Sequence, residues 1–264
     1  MVFEYDYHVH TTVSYCHEGD LTVDNYIKLA PIKGLKGFAV TDHAHHTYFD
    51  NKAAWRYNYI TDYDYFLEAK ESGGKRFERY LNLLAYYSSP ENSNGTKILK
   101  GTEVDVAING ELVFDYKYRD RLDLLIGGIH WLPCLRDGLD SKTLLTEFMD
   151  FTMMLLEHNL TILAHPTRIF RANKMEVPRE VVRPIVLKAK EKGTAIEINS
   201  HNYPDPDVYF IHSCIDEGVK LSMGTDTHRI AEFGDFSMQK RILSEAGISE
   251  KELESIAFSH EKKY

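Results

Sequence analysis

Seven short runs of apolar and β-branched residues, at 2–8, 36–41, 97–103, 123–129, 160–164, 194–199 and 219–223, alternate with stretches of helical period. The helical stretches cover 23–33, 63–87, 141–158, 178–192 and 206–217, with Asp140 or Ser141 as a cap for the third. Gly193 and Gly218 stand where helix ends favour glycine. Strands separated by helices read as a parallel sheet, because each helix carries the chain back to the starting edge. The nearly continuous apolar run Leu124-Leu125-Ile126 suits a sheet covered on both faces. The expected fold is therefore α/β, with the parallel sheet closed as a barrel. Residues 104–123 show no convincing helix. Residues 44–96, rich in Tyr, Asn and Ser, exceed an ordinary βα connection and are expected to add a helix and a loop above the barrel mouth. With no internal repeat, residues 1–264 read as one domain with an extended insertion at about 44–96.

Composition narrows the partners. A 43% hydrophobic and 27% charged chain is an ordinary globular one, which excludes disordered, collagen-like and coiled-coil classes. A formal charge of −9 argues against a broad basic face for nucleic acid. No apolar run approaches the roughly 20 residues needed to span a bilayer, and residues 1–10 carry no basic and apolar leader, so no membrane association and a cytoplasmic location are expected. Cys16, Cys134 and Cys214 are odd in number and widely spaced, which fits a reducing compartment.

The chemistry is concentrated where the strands end. They finish in His8-Val9-His10, Thr41-Asp42-His43, Gly101-Thr102-Glu103, Gly127-Gly128-Ile129-His130, Ala164-His165-Pro166, Glu197-Ile198-Asn199 and Gly224-Thr225-Asp226-Thr227-His228. A parallel barrel gathers the carboxyl ends of its strands at one mouth. His8 and His10, two apart on a strand, point the same way and can share an ion, and Asp226 and His228 repeat that spacing. One such pair is a weak signal. Thirteen histidines in the chain, so many of them at strand ends, are a much stronger one. Glu103 can bridge two cations, since a carboxylate holds two ions at the roughly 3.5–4 Å separation of two-metal hydrolytic sites.

In this order and spacing, His8-Val9-His10-Thr11, Thr41-Asp42-His43, Gly101-Thr102-Glu103-Val104-Asp105, Gly128-Ile129-His130, Ala164-His165-Pro166 and Gly224-Thr225-Asp226-Thr227-His228 resemble the motifs of the PHP (polymerase and histidinol phosphatase) superfamily. The resemblance runs from residue 6 to residue 228. It implies a distorted (β/α)7 TIM-like barrel holding two or three divalent ions, commonly zinc, manganese or iron, at the carboxyl ends of the strands. It further implies phosphoester hydrolysis with Glu103, Asp226 and His228 at the catalytic centre. By the same likeness His8, His10, Glu103 and Asp226 are ligands of a first ion, Glu103 bridges to a second held by His130 and His165, and His43 and His228 hold a third. The family pattern places one more histidine about six residues after His10. Here that position is Cys16, with His17 next to it. His17 is the expected ligand and Cys16 the alternative, a thiolate favouring zinc.

The implied chemistry is hydrolysis of a small phosphomonoester by a metal-held hydroxide, coordination lowering the pKa of water from 15.7 to about 7. Arg168 and Arg229 are placed to bind the phosphate. Asp42, Asn199 and His201 can orient ligands or supply the leaving-group proton. His45 and His46 are expected in a solvated loop, and His158, His212 and His260 carry no role. The tyrosines of 44–96, Trp55 and Trp131 can shape a lid or simply pack. The segment after His43, Gly101-Thr102-Glu103-Val104-Asp105 and Gly128-Ile129-His130-Trp131-Leu132 are similar to monofunctional histidinol phosphatases, so L-histidinol phosphate is one candidate substrate. A broad small-molecule or nucleotide phosphatase, a PHP-type nuclease and a noncatalytic metal-binding module are the alternatives. Three divalent ions would add about +6 at the mouth of this acidic chain and make it attractive to phosphate.

Overall fold

The seven apolar runs form seven parallel strands: β1 (Tyr5–Val9), β2 (Gly37–Val40), β3 (Lys97–Val104), β4 (Leu124–Gly127), β5 (Ile162–Leu163), β6 (Ala195–Asn199) and β7 (Leu221–Gly224). The computed structural model describes residues 2–138, 140–201 and 204–261. The strands lie in sequence order in one sheet, β1 beside β2 through to β6 beside β7. A bridge between Val9 and Thr227 brings the last strand back to the first, so the sheet is a nearly closed barrel. This is the distorted (β/α)7 TIM-like architecture.

Alternation along each strand sorts its residues between two cores. Leu124 and Ile126 of β4 join Ala39, Leu99, Ile162, Ala164 and Ala195 in an inner core, while Leu125 joins the larger core under the helices. Every residue of β2, β4, β5, β6 and β7 is buried, as expected for strands covered on both faces. The strand β1 breaks the alternation. Its pairing with β2 shifts between Asp6 and Val9, where three residues of β1 advance against two of β2. Because of this bulge Tyr7 fills the inner core and the next residue, His8, also turns inward to the mouth.

The helices follow the sequence pattern closely. Asp140 caps the helix Ser141–Leu156 by accepting from the Thr143 N–H, and Gly193 and Gly218 end their helices in the left-handed conformation. Residues 104–123 form a bridge between Val106 and Leu112 and a 3-10 turn at Tyr116–Arg121. The segment 44–96 divides in two. Its first part is three short helices, Ala44–Tyr48, Asn51–Ala54 and Asn58–Thr61, which carry Trp55 and Tyr57 to the mouth. The long helix Tyr63–Tyr87 instead packs on the barrel wall as the crossover from β2 to β3. Its buried Tyr80 hydroxyl donates to the Gly101 carbonyl at 2.8 Å and accepts the Asp42 N–H at 3.2 Å.

Tyr80→Phe strips the Asp42 N–H and the Gly101 carbonyl of that partner. The expected loss is about 1–3 kcal/mol in urea denaturation, with the circular dichroism spectrum of the native state unchanged. Stability equal to wild type would show that the hydroxyl does not tie the helix to the wall.

Candidate metal centre

Glu103 ends β3 fully buried, and its two oxygens face different sets of imidazoles. Glu103 Oε2 lies 3.4 Å from His8 Nε2, 3.6 Å from His10 Nε2 and 2.8 Å from His43 Nδ1. Glu103 Oε1 lies 3.1 Å from His130 Nε2 and 2.9 Å from His165 Nε2. Asp226 Oδ1 completes the first set at 3.0 Å from His10 Nε2 and 3.4 Å from His8 Nε2. The two imidazole nitrogens of His8 and His10 stand 3.2 Å apart. Donors bound about 2.0–2.2 Å from one ion stand roughly 3.0–3.6 Å from one another, so these separations suit a shared cation.

Buried atoms without hydrogen bonds point the same way. His43 Nδ1, Glu103 Oε2 and His130 Nε2 are all buried without a hydrogen bond of acceptable geometry, although His43 Nδ1 and Glu103 Oε2 are neighbours. Burying such groups unpaired is costly, and a cation among them removes the cost. The donor set fits divalent ions of the kind that accept nitrogen and oxygen ligands. Ligand-type atoms gather within 4.8 Å in His8–His10–Asp226, in His43–Glu103–His130, in His10–His43–His228 and in Cys16–His43–His46.

The electrostatics express the same crowding. Burial opposes charge on His8, yet Glu197, Asp226 and Glu103 outweigh it and hold the imidazole well above its ordinary pKa. Burial likewise opposes charge on His130, and Glu103 and Asp105 raise it to about 10. The carboxyls of Glu103 and Asp226 are held well below their ordinary range, since the histidines around them overcome the effect of burial. For His43 and His228 burial wins: His43 falls well below the usual histidine value and His228 to about 3.

A surrounding set of residues fixes the ring orientations. Glu197 of β6 pairs with His8 Nδ1 at 2.8 Å and accepts the His165 N–H at 2.8 Å. Asn199 donates to Glu197 at 2.9 Å and to Asp226 at 3.3 Å. Asp105 pairs with His130 Nδ1 at 2.7 Å, and its other oxygen lies 2.9 Å from His45 Nδ1 without a hydrogen bond of acceptable geometry. Buried Asp42 accepts from the backbone and hydroxyl of both Thr11 and Ser14, and Ser14 Oγ in turn meets His10 Nδ1 at 3.1 Å. Glu197 and Asp105 were not singled out by sequence reasoning. The signal existed for Glu197, which shares a strand face with Asn199 two residues on.

Other expected residues fall differently. Cys16 lies among His43 and His46, whereas His17 Nδ1 is committed to the Ser14 carbonyl at 2.7 Å and joins none of the ligand groups among the described residues. Arg168 lines the cavity over the cluster. Arg229 does not: its guanidinium binds Glu18 at 2.9 and 3.0 Å and Glu232 at 3.3 Å on the surface, because the chain turns outward after His228. His45 and His46 are not in a solvated loop. The helix Ala44–Tyr48 starts immediately after His43 and is buried throughout, leaving both rings about 2% exposed. His201, half-buried, stacks on His228 at 4.1 Å and approaches Glu232 at 3.3 Å. His158 bonds the Gly110 carbonyl and His260 meets Tyr7, both away from the mouth.

Fold and site together define an α/β barrel with a histidine- and carboxylate-lined centre at the carboxyl ends of its strands. The chain belongs to the PHP domain family, whose sequence profile matches residues 6–201. It is 25% identical to a protein of Aeromonas hydrophila subsp. hydrophila described as a probable phosphatase, over 94% of this chain and 87% of that one. It is 26% identical to one of Acetivibrio thermocellus, also described as a probable phosphatase, over 93% and 88%. In three dimensions it is similar to the histidinol phosphate phosphatase of Lactococcus lactis subsp. lactis, crystallised with zinc, L-histidinol and phosphate. That match has a TM-score of 0.57 at 15% identity and covers 94% of this chain and 95% of the other.

A cation held by His8 and His130 would compete with the protons that their carboxylate neighbours favour there. Their raised pKa values mean that acid favours the protonated, metal-free form. Apparent metal affinity should therefore rise by about tenfold or more per pH unit between pH 6 and 9, measured by competition with a chromophoric chelator. An affinity flat across that range would contradict the ligand assignment.

Proposed function

We propose that this chain is a metal-dependent phosphomonoesterase acting on a small phosphorylated substrate. The observation that carries the reading is the two-sided setting of Glu103, with His8 and His10 on one oxygen and His130 and His165 on the other. Divalent ions bound there, zinc, manganese or iron, would lower the pKa of water and offset phosphoryl charge. The chain's own residues supply the rest. His8, His10, Glu103 and Asp226 form one ligand set, His130 and His165 with Glu103 a second, and His43 with His228 the core of a third. Cys16 lies beside His43 of that third set whereas His17 is turned onto the Ser14 carbonyl, so Cys16 is the better candidate to join it. Arg168 reaches the cavity and is the basic residue suited to hold a phosphate oxygen. Trp55 and Tyr57 form the adjacent wall and exclude water from part of it.

L-histidinol phosphate is one candidate substrate, on the likeness to the Lactococcus enzyme. Broader use on small phosphomonoesters is the second reading, on the likeness to proteins described as probable phosphatases. Three unpaired cysteines are in keeping with work in the reducing cytoplasm.

The test is hydrolysis of p-nitrophenyl phosphate and of single-stranded DNA with and without chelator, then a panel of histidinol phosphate, nucleotides and sugar phosphates. Chelator-sensitive turnover of the first and none of the DNA is expected; no turnover of any phosphomonoester by metal-replete protein sinks the reading. Glu103→Gln should lower activity by about a hundredfold or more and reduce the bound-metal count. In the same elemental analysis Cys16→Ala should lose the third ion and His17→Ala should keep it. Arg168→Ala should raise KM about tenfold with metal content unchanged, while Arg229→Ala, which breaks a surface pair, should leave both near wild type.

A further inference from the structure

The buried helix after His43 places a histidine at the cavity whose two ring nitrogens have separate duties. His46 Nδ1 accepts the backbone N–H of Tyr15 at 3.0 Å. A nitrogen that accepts carries no proton, so the proton of this imidazole sits on Nε2. His46 Nε2 is buried without a hydrogen-bond partner, and the residue lines the same cavity as Arg168, Cys16 and His43. The ring is held in place by its neighbours, with centroids 4.8 Å from Tyr15 and 5.4 Å from Trp55. Spacing alone would count His46 as a metal ligand beside Cys16 and His43. The Tyr15 hydrogen bond argues against it. Its one lone pair is already used at Nδ1, and Nε2 has a hydrogen to give.

The geometry points to His46 as a substrate-binding donor, its Nε2–H giving a hydrogen bond to an oxygen of the phosphoryl group in the cavity beside Arg168. This rests on the phosphomonoesterase reading for the identity of the natural anion, and it adds a residue to the phosphate site that the family motifs do not include. A ring whose orientation is fixed before the anion arrives need not be turned on binding, and a hydrogen bond to a charged oxygen is stronger than one between neutral groups.

The experiment titrates inorganic phosphate into the metal-loaded protein by calorimetry, for wild type, His46→Phe and His46→Gln. His46→Phe keeps a ring without the donor and should weaken phosphate binding about tenfold or more, whereas His46→Gln, which can accept from Tyr15 and still donate, should stay within about threefold. Metal content should be the same in all three. An affinity in His46→Phe equal to wild type overturns the proposal, as does loss of an ion from His46→Gln, which would make the residue a ligand. A long-range proton–nitrogen NMR correlation on the wild type needs no variant: a proton on Nε2 supports the assignment and a proton on Nδ1 overturns it. Turnover of p-nitrophenyl phosphate by the same preparations is read separately. An inactive wild type that binds phosphate through His46 leaves this inference standing and removes the phosphatase one.

Discussion

A buried carboxylate shared between two groups of histidines is the constraint on which the rest of the molecule depends. Glu103 has no exposure to water and has five imidazoles around its two oxygens. A charge so placed is tolerable only when cations or protonated partners surround it. Space has been cleared for it in the backbone. At Gly128 an added Cβ would lie 2.9 Å from Glu103 Oε1 and 2.5 Å from His165, so a side chain there would push apart the two groups that must converge. Gly224 does the same for Glu197, whose carboxylate occupies the volume a Cβ would need.

The strain at the mouth is local and is held by this network. His165 and Asp226 both have left-handed backbone, with φ of 28° and 52°, a conformation unfavourable for residues with side chains. The His165 N–H is fixed by Glu197, and the Asp226 carboxylate by His10 and Asn199. One residue, Glu197, thus orients the ring of His8 and clamps the backbone of His165 from a different strand. The orientation of these histidines and carboxylates depends on β1, β5, β6 and β7 together, and no single motif contains it.

How much of this could be read beforehand varied with the range of the interaction. Strand and helix positions depend on local period, and all seven strands and the five long helical stretches stand where the pattern put them, with bounds that differ by a few residues at some ends. The surroundings of strand-end side chains depend on contacts far along the chain. His45 and His46 look like a polar loop because neighbouring histidines are hydrophilic, yet Trp55, Tyr57 and Tyr59, brought back by the following short helices, bury them. Arg229 follows a ligand-type residue directly, but Glu18, which captures it, comes from the loop after β1. Cys16 stands beside His43 while His17 turns to the Ser14 carbonyl, a backbone contact that no count of residues reveals.

The sequence by itself determined the parallel barrel, the side of it that carries the chemistry, and the family, because hydrophobic period and the residue types at strand ends are written locally along the chain. Only the tertiary structure decided which faces those residues present. Strict alternation along β1 would put Tyr7 and His8 on opposite faces; the bulge against β2 turns both inward, Tyr7 into the core and His8 to Glu103 and Glu197. That phase change arises from pairing with a strand about thirty residues away, so it is set by the β1–β2 register and not by the residues of β1 alone.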